Sequence, residues 1–429
     1  MSPVLIDLGE VPRGESLAPA VPAEAPPVPS RVLLAILSMI LVVGLGGAVQ
    51  PDRPAPPAIV PAAQGDVLRV VGDRLYVIGR QTSPGVRVVR SLSLPDARLL
   101  SWHLVALTGE ILDVAAAGDM LLLSVLNERT SRFGTIALRA TDPDPVWRLP
   151  VLVEGVSPAD RLALVREEDD TGFWWRGLDL ATGEVRWSLR QPGDDVMSPS
   201  THGGAYPDWL YQLTTDRRLL AWDTRTGRLS ATRNIPERGP ETLSLWPAGD
   251  MALIGARSDG TTGYDATEGL RQRWHSGVNL SWYRNPSPCG DLICAFLPQR
   301  GIMVIDPRTG RERWSSDRWN YAERVGGYLV TGLPGTAFPE HFVLDPATGD
   351  VLGEAGRWES GGPGPEPDTA YVRRVVSGED RVWYGVLDMR RMRIRVSGVA
   401  DRVAGDCHFA AGALICRRLD ASVGVWRLD

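Results

Sequence analysis

An aspartate, two variable residues and a Thr-Gly pair recur about every 40 residues along the chain, and a period of that length between strand-like runs means a repeat architecture. The phrase reads Asp179-Leu-Ala-Thr182-Gly183 with Trp187, Asp223-Thr-Arg-Thr226-Gly227, Asp306-Pro-Arg-Thr309-Gly310 with Trp314, and Asp345-Pro-Ala-Thr348-Gly349. A variant, Asp265-Ala-Thr-Glu-Gly269 with Trp274, falls between the second and third. The chemistry of the phrase is that of a self-satisfied hairpin turn: Asp accepts backbone N–H bonds inside its own turn, and Gly holds a positive φ at little cost. The Trp beyond the Gly lies on the next strand, where its large apolar face can dock on a neighbouring unit and its N–H can find an acceptor. One such unit cannot bury its own faces, so stability comes from neighbours and from closing the ring.

A second signal precedes each phrase. Gly72-Asp73, Gly118-Asp119, Gly249-Asp250 and Gly290-Asp291 each open an apolar run, with weaker versions at Ala159-Asp160, Pro207-Asp208, Gly326-Gly327, Glu379-Asp380 and Gly412-Ala413. Together the two signals describe a meander of short strands per unit. Nine openings are counted, and because a propeller often completes one blade from both chain ends, the expected fold is an all-β, eight-bladed β-propeller of four-stranded antiparallel blades over 66–429, with seven blades as the alternative.

Composition narrows the function. The 46 Gly and 34 Pro punctuate short Val, Leu, Ile, Trp and Tyr runs, as many tight turns require. The formal charge of −6 is spread along the chain, which gives no concentrated basic footprint and argues against a nucleic-acid partner. Every basic side chain apart from His is Arg, since no Lys occurs; this points to a GC-rich bacterial genome, and it excludes Schiff-base, P-loop and Ser-Lys lysine chemistry.

Ahead of the repeats, Val32 to Val49 is an uncharged apolar run. As a helix it would reach roughly 27 Å, enough to cross the hydrocarbon core. The expected organisation is therefore a disordered cytoplasmic tail over 1–30, one transmembrane helix over 31–50, a Pro-rich linker over 51–65 and an extracytoplasmic propeller held as a single-pass membrane protein. A cleaved signal peptide ending near Gly46-Gly47-Ala48 is the alternative. The four cysteines fall in two local pairs, Cys289 with Cys294 and Cys407 with Cys416, each placed to sit on facing strands of one hairpin. The expectation is two disulfides in an oxidising compartment, with buried free thiols as the alternative.

At these phrases the chain resembles the propeller repeats named after the quinoprotein dehydrogenases, whose blades carry an Ala-x-Asp-x-x-Thr-Gly-x-x-x-Trp docking motif. Asp179 to Trp187 and Asp306 to Trp314 match it well; Asp223 to Gly227 and Asp345 to Gly349 match its turn but have Ala231 and Gly353 at the Trp place. The first two units and the last are degenerate. The resemblance implies a propeller over about 66–429 and is closest to anchored members that serve as assembly scaffolds or sensor ectodomains, with a protein or cell-envelope partner. Family enzymes clamp the quinone with adjacent cysteines and hold calcium with Glu, Asn and Asp. No two cysteines are adjacent here, so the expectation is a non-enzymatic binding platform without cofactor or metal. A quinone- or sugar-acting enzyme with its site in the central channel is the alternative.

Other constellations carry less. The five histidines, His103, His202, His275, His341 and His408, lack metal-ligand spacing. The acidic run Glu167-Glu168-Asp169-Asp170 reads as a solvated turn rather than a calcium site. Arg391, Arg393 and Arg395 alternate as on the exposed face of an edge strand. Trp174, Trp175, Trp282, Tyr283, Arg284, Trp319 and Tyr321 lie near expected blade ends and are candidate recognition residues, with inter-blade packing as the competing role. The Gly- and Pro-rich stretch Glu359 to Thr369 reads as a long mobile loop.

Overall fold

The computed structural model describes residues 56–428 except 82–84, 128–129, 140–141, 171, 201–205, 238–241, 257–258, 281–283, 298–300, 320, 334–339 and 377. These residues form nine sheets, each a meander of four antiparallel strands, in place of the eight or seven expected. Blades 1 to 8 occupy 67–106, 110–149, 151–191, 196–234, 244–276, 284–316, 322–356 and 359–400, and blade 9 occupies 403–427. Blade 9 takes its outermost strand from the other end of the described chain: Ala58–Val60, in the stretch expected to be linker, pairs with Val423, Gly424 and Val425.

That closure explains the miscount. The N-terminal strand brings no opening turn with it, so closing the ring consumes a strand and not a blade. Eight of the nine openings do stand between first and second strands. Glu379-Asp380 instead joins the second and third strands of blade 8, Thr369–Val375 and Val382–Asp388. The true opening of blade 8 is 364–368, because Glu359–Pro363, expected to be a mobile loop, is the first strand of that blade.

The membrane expectation is corrected as well. Among the described residues no helix is long and apolar enough to cross a membrane. Their apolar runs are used as strands of at most nine residues that bury side chains against neighbouring blades. The expected tail 1–30 and helix 31–50 lie outside the described residues. A single-pass anchor, a cytoplasmic N-terminus and an extracytoplasmic propeller therefore find no support, and they are not carried further.

The core is a set of seams. Nine clusters of buried apolar side chains each draw on two adjacent blades, including Ile415 and Val425 of blade 9 with Leu75 and Val77 of blade 1 at the closure. Side chains alternate along a strand, so each blade presents one apolar face to the blade before it and one to the blade after it.

The recurring turns fasten these seams. Asp179 Oδ1 accepts from the N–H groups of Ala181 and Thr182, at 2.9 and 3.1 Å. Asp223 accepts from Thr226 N at 2.8 Å, Asp265 from Thr267 N at 2.9 Å, Asp306 from Arg308 N at 2.9 Å and Asp345 from Ala347 N at 2.7 Å. The N–H of Gly183, Gly227, Gly310 and Gly349 closes each turn on its own Asp carbonyl at 2.8 Å. A Trp from the preceding blade then lies on that Gly. Trp274 Nε1 donates to Pro307 O at 2.8 Å and Trp314 Nε1 to Pro346 O at 2.9 Å. Gly227 has φ +66° and sits under Trp187, so a Cβ there would come within 2.5 Å of the indole.

Two further contacts of this kind were not read from the sequence. Trp147 donates to Leu180 O at 3.0 Å and covers Gly183, although its own blade has lost the phrase. Between blades 7 and 8 the direction reverses: blade 7 has Gly353 where Trp is expected, and Met392 reaches back from the turn of blade 8 to fill the space. That turn is a degenerate copy, with Asp388 accepting from Arg390 and Arg391 N–H at 3.0 Å each.

Both expected disulfides are present and link the first and second strands of blades 6 and 9, with Cα separations of 5.8 Å for Cys289–Cys294 and 4.1 Å for Cys407–Cys416. Of the arginine stripe, Arg391 pairs with Asp388 at 2.9 Å, and Arg393 and Arg395 are exposed on Arg393–Ala400, the outer strand of blade 8.

Three outcomes follow for chemical denaturation. Trp314→Ala empties a seam and should lower stability by about 3 kcal/mol, with Gly227→Ala destabilising through both the contact and the positive φ. Replacing both Cys289 and Cys294 by Ser should cost about 2 kcal/mol through the short closed loop, provided loop-closure entropy governs. The hydrogen bond from Arg186, reinforced by two backbone N–H groups against some desolvation, holds Asp179 below the ordinary carboxylate range. Its contribution is complete above the unfolded value near 4 and is lost as pH falls through the lower folded value, so Asp179→Asn should flatten the decline of stability below about pH 4.

Candidate functional site

In an antiparallel meander, the turns joining first to second and third to fourth strands share one rim of the ring. The Asp-x-x-Thr-Gly turns lie there. The opposite rim carries the hairpins between second and third strands and the connections from blade to blade, and on it lie two adjoining hollows.

On blade 2 that rim opens into a cavity of about 380 Å³, bounded by the connection from blade 1 and by Pro150, whose apolar walls include Leu107, Val125, Phe133 and Ile136 and whose polar edge includes Arg132 and Arg148. The strand Arg132–Arg139 supplies Phe133 and Ile136, and Arg148 comes from the outer strand, where it donates to Ala106 O of blade 1 at 2.5 Å. Below it the buried Thr135 hydroxyl donates to Val151 O at 2.7 Å, tying the wall to blade 3. No carboxylate, His or Cys stands among the described lining residues.

A second hollow, of about 150 Å³, shares Arg132, Phe133 and Pro150 with the first and is lined on its other side by the acidic run Glu167 to Asp170. Arg132 reaches Asp170 across the two blades at 3.1 Å, with both side chains largely exposed. Trp174, one of the recognition candidates, belongs here: its Nε1 donates to Asp169 at 2.8 Å, and the guanidinium groups of Arg176 and Arg190 stand 5.6 and 5.9 Å from its ring. Arg176 also pairs with Glu167 at 2.9 Å. On the first strand of blade 3, burial pushes the Glu154 carboxyl up and is opposed by Arg166 at 3.1 Å. The result is an apolar hollow beside a carboxylate-rich rim, and it suits an apolar side chain flanked by a cationic group.

The other recognition candidates are dispersed. Trp175 is buried in the seam between blades 3 and 4, with Nε1 donating to Gln191 Oε1 at 3.2 Å. Trp319 is buried between blades 6 and 7, with its ring 5.0 Å from that of Phe342 and with Arg318 4.4 Å above it. Tyr321 is half-buried, edge-on to His341 at 6.5 Å, and burial aided by Glu323 and Glu359 pushes its hydroxyl up to about 12. Trp282 and Tyr283 lie outside the described residues, and Arg284 begins the first strand of blade 6. Thr262 holds His275 Nδ1 at 3.0 Å, and His103 and His341 are buried; His202 lies outside the described residues. Among the described residues no three His, Cys, Asp or Glu side chains come together to hold a metal ion.

Sequence reading missed Leu107, Phe133 and Arg148. They sit in the two degenerate units, where no repeat phrase fixes the register, and only the ring brings them together.

A family profile described as "Outer membrane protein assembly factor BamB" matches residues 85–316, more than half of the chain. The chain belongs to this family of PQQ-like propellers. Among solved structures it is similar to a eukaryotic initiation factor, at 8% identity over 80% of this chain and 90% of that one, with a TM-score of 0.52. It is also similar to BamB from Moraxella catarrhalis, at 14% identity over 88% and 98%, with a TM-score of 0.41. A further similarity is to the dihydro-heme d1 dehydrogenase NirN in complex with DHE, at 14% identity over 85% of each chain and a TM-score of 0.44. At these identities the first likeness speaks for the fold alone, and the last two carry no argument. No curated protein matches the chain.

Proposed function

We propose that this propeller is a non-enzymatic platform that binds a polypeptide, with the apolar hollow of blade 2 as the docking point and the adjoining acidic run of blade 3 as its rim. The observation that carries the reading is the pairing of an apolar cavity with the Glu167 to Asp170 rim on one side of a rigid ring. Phe133 lies between the two hollows, so an inserted apolar side chain would pack on its ring while a neighbouring Arg or Lys of the partner met the carboxylates. Membership of a family described as an assembly factor supports the reading. The larger cavity offers apolar and hydroxyl groups rather than an acid–base pair, which suits holding better than turnover.

The test is site-specific photo-crosslinking of the full chain in cells of its source. A crosslinker at Thr130 should give one discrete protein adduct, and Phe133→Asp, or Glu168→Lys with Asp170→Lys, should remove at least nine-tenths of it while leaving the melting temperature within about 2 °C. An adduct untouched by these changes would move the docking point elsewhere. Titration with pyrroloquinoline quinone and calcium gives the opposing arm: a tight stoichiometric complex would overturn the non-enzymatic reading.

A further inference from the structure

Outer strands end a blade and leave a row of backbone groups unpaired, which invites another strand unless something prevents it. Eight of the nine outer strands carry such protection. Blade 2 has Asp142, Pro143, Asp144 and Pro145 on its outer strand, blade 3 has Arg186 and Arg190, and blade 4 has Arg228 and Arg233. Blades 5 to 8 have Arg or Glu in the corresponding strands. Blade 9 ends in a strand of only three residues, Ala58–Val60, with Pro57 before it and Pro61 after it.

Blade 1 differs. Its outer strand, Arg98–Ala106, is nine residues long and after Arg98 contains no Arg, Asp, Glu or Pro. Its one titratable side chain there, His103, is turned inward and 9% exposed, whereas Leu99, Leu100, Trp102 and Leu104 are 55%, 44%, 53% and 53% exposed. Leu100 is the unpaired residue of a bulge between the pairs Leu92–Leu99 and Ser91–Ser101. The same bulge position holds Arg186, Arg273 and Arg313 in blades 3, 5 and 6, where each Arg pairs with the Asp of its own turn. Blade 1 thus puts leucine where its sisters put a neutralised charge.

We infer that this strand is a self-association edge, pairing antiparallel with the same strand of a second copy about a two-fold axis at Trp102. Trp102 is the middle residue of the nine, so the axis sets the two indoles against each other and brings Leu100 of each copy alongside Leu104 of the other. Arg98 then lies opposite Ala106, whose carbonyl already accepts from Arg148 of blade 2, so the pairing is carried by residues 100–104 at the middle of the strand. Self-complementarity of this kind is what an isologous interface requires. The four side chains leave on the order of 400 Å² of apolar surface open per copy, the size at which a patch marks an interaction site. Two such patches with the strand backbones approach the roughly 1,200 Å² of a small specific interface.

Sedimentation of the full chain tests the pairing. The wild type should be dimeric at about ten micromolar, and Trp102→Arg or Leu104→Lys should raise Kd at least tenfold with unchanged melting, since both positions are exposed. Leu229→Arg, on the outer strand of blade 4, should leave the dimer intact. Under mild oxidation Trp102→Cys should give a disulfide-linked dimer, because facing residues at a two-fold axis have Cα atoms about 4.5–5.5 Å apart. A wild type monomeric at about 100 micromolar would overturn the proposal. So would a dimer that survives Trp102→Arg, or failure of Trp102→Cys to crosslink.

Discussion

The ring depends on one contact, the indole of one blade laid over the turn glycine of the next. The glycine has no Cβ, so the indole can approach the backbone closely, and in the seams of Trp147, Trp274 and Trp314 the carbonyl of the residue after the turn Asp accepts the indole N–H. Buried area, a hydrogen bond and a fixed spacing between blades therefore come from the same few atoms. Each seam can only form when both neighbours are present, which makes the stability of any blade a property of the pair.

Where this contact is lost, the seam is filled in another way and the ring continues. Blade 4 has Ala231 at the Trp place, and there Trp209 Nε1 and the Tyr211 hydroxyl of blade 4 reach Asp250 and Gly249 of blade 5 at 3.0 Å each. Met392 serves the seam of blades 7 and 8 from the opposite side. What the fold demands is occupied volume at the seam together with a satisfied turn; an indole is the commonest way to provide both.

This explains what could and could not be read from the chain. The repeat, the four-stranded meander, the turn hydrogen bonds and both cysteine pairs were legible because each rests on residues within a few positions of one another. The blade number was not, because it turns on Ala58–Val60, a three-residue strand among prolines whose partner lies at the far end of the chain. Trp147 and the Asp388 to Met392 turn were hidden for a related reason: each keeps half of the phrase, and the missing half comes from another blade. The hollow proposed for docking was illegible altogether, since Phe133, Arg148 and Glu167 share no spacing and come to two adjoining hollows only once blades 2 and 3 are side by side.

The units that have lost the phrase are also the ones that carry the distinctive surfaces. Blade 1 has the outer strand without charge after Arg98, and blade 2 has the apolar hollow at its rim. In the regular blades the third-to-fourth turn, the bulge arginine and the docking tryptophan are committed to one another, which leaves little freedom in the outer half of the sheet. A unit released from that commitment can place leucine at a bulge or open a hollow at a rim, while its neighbours keep the ring closed. Local departure from the repeat is affordable because the remaining seams hold the geometry, and such departures are where a consistent sequence is expected to carry its function.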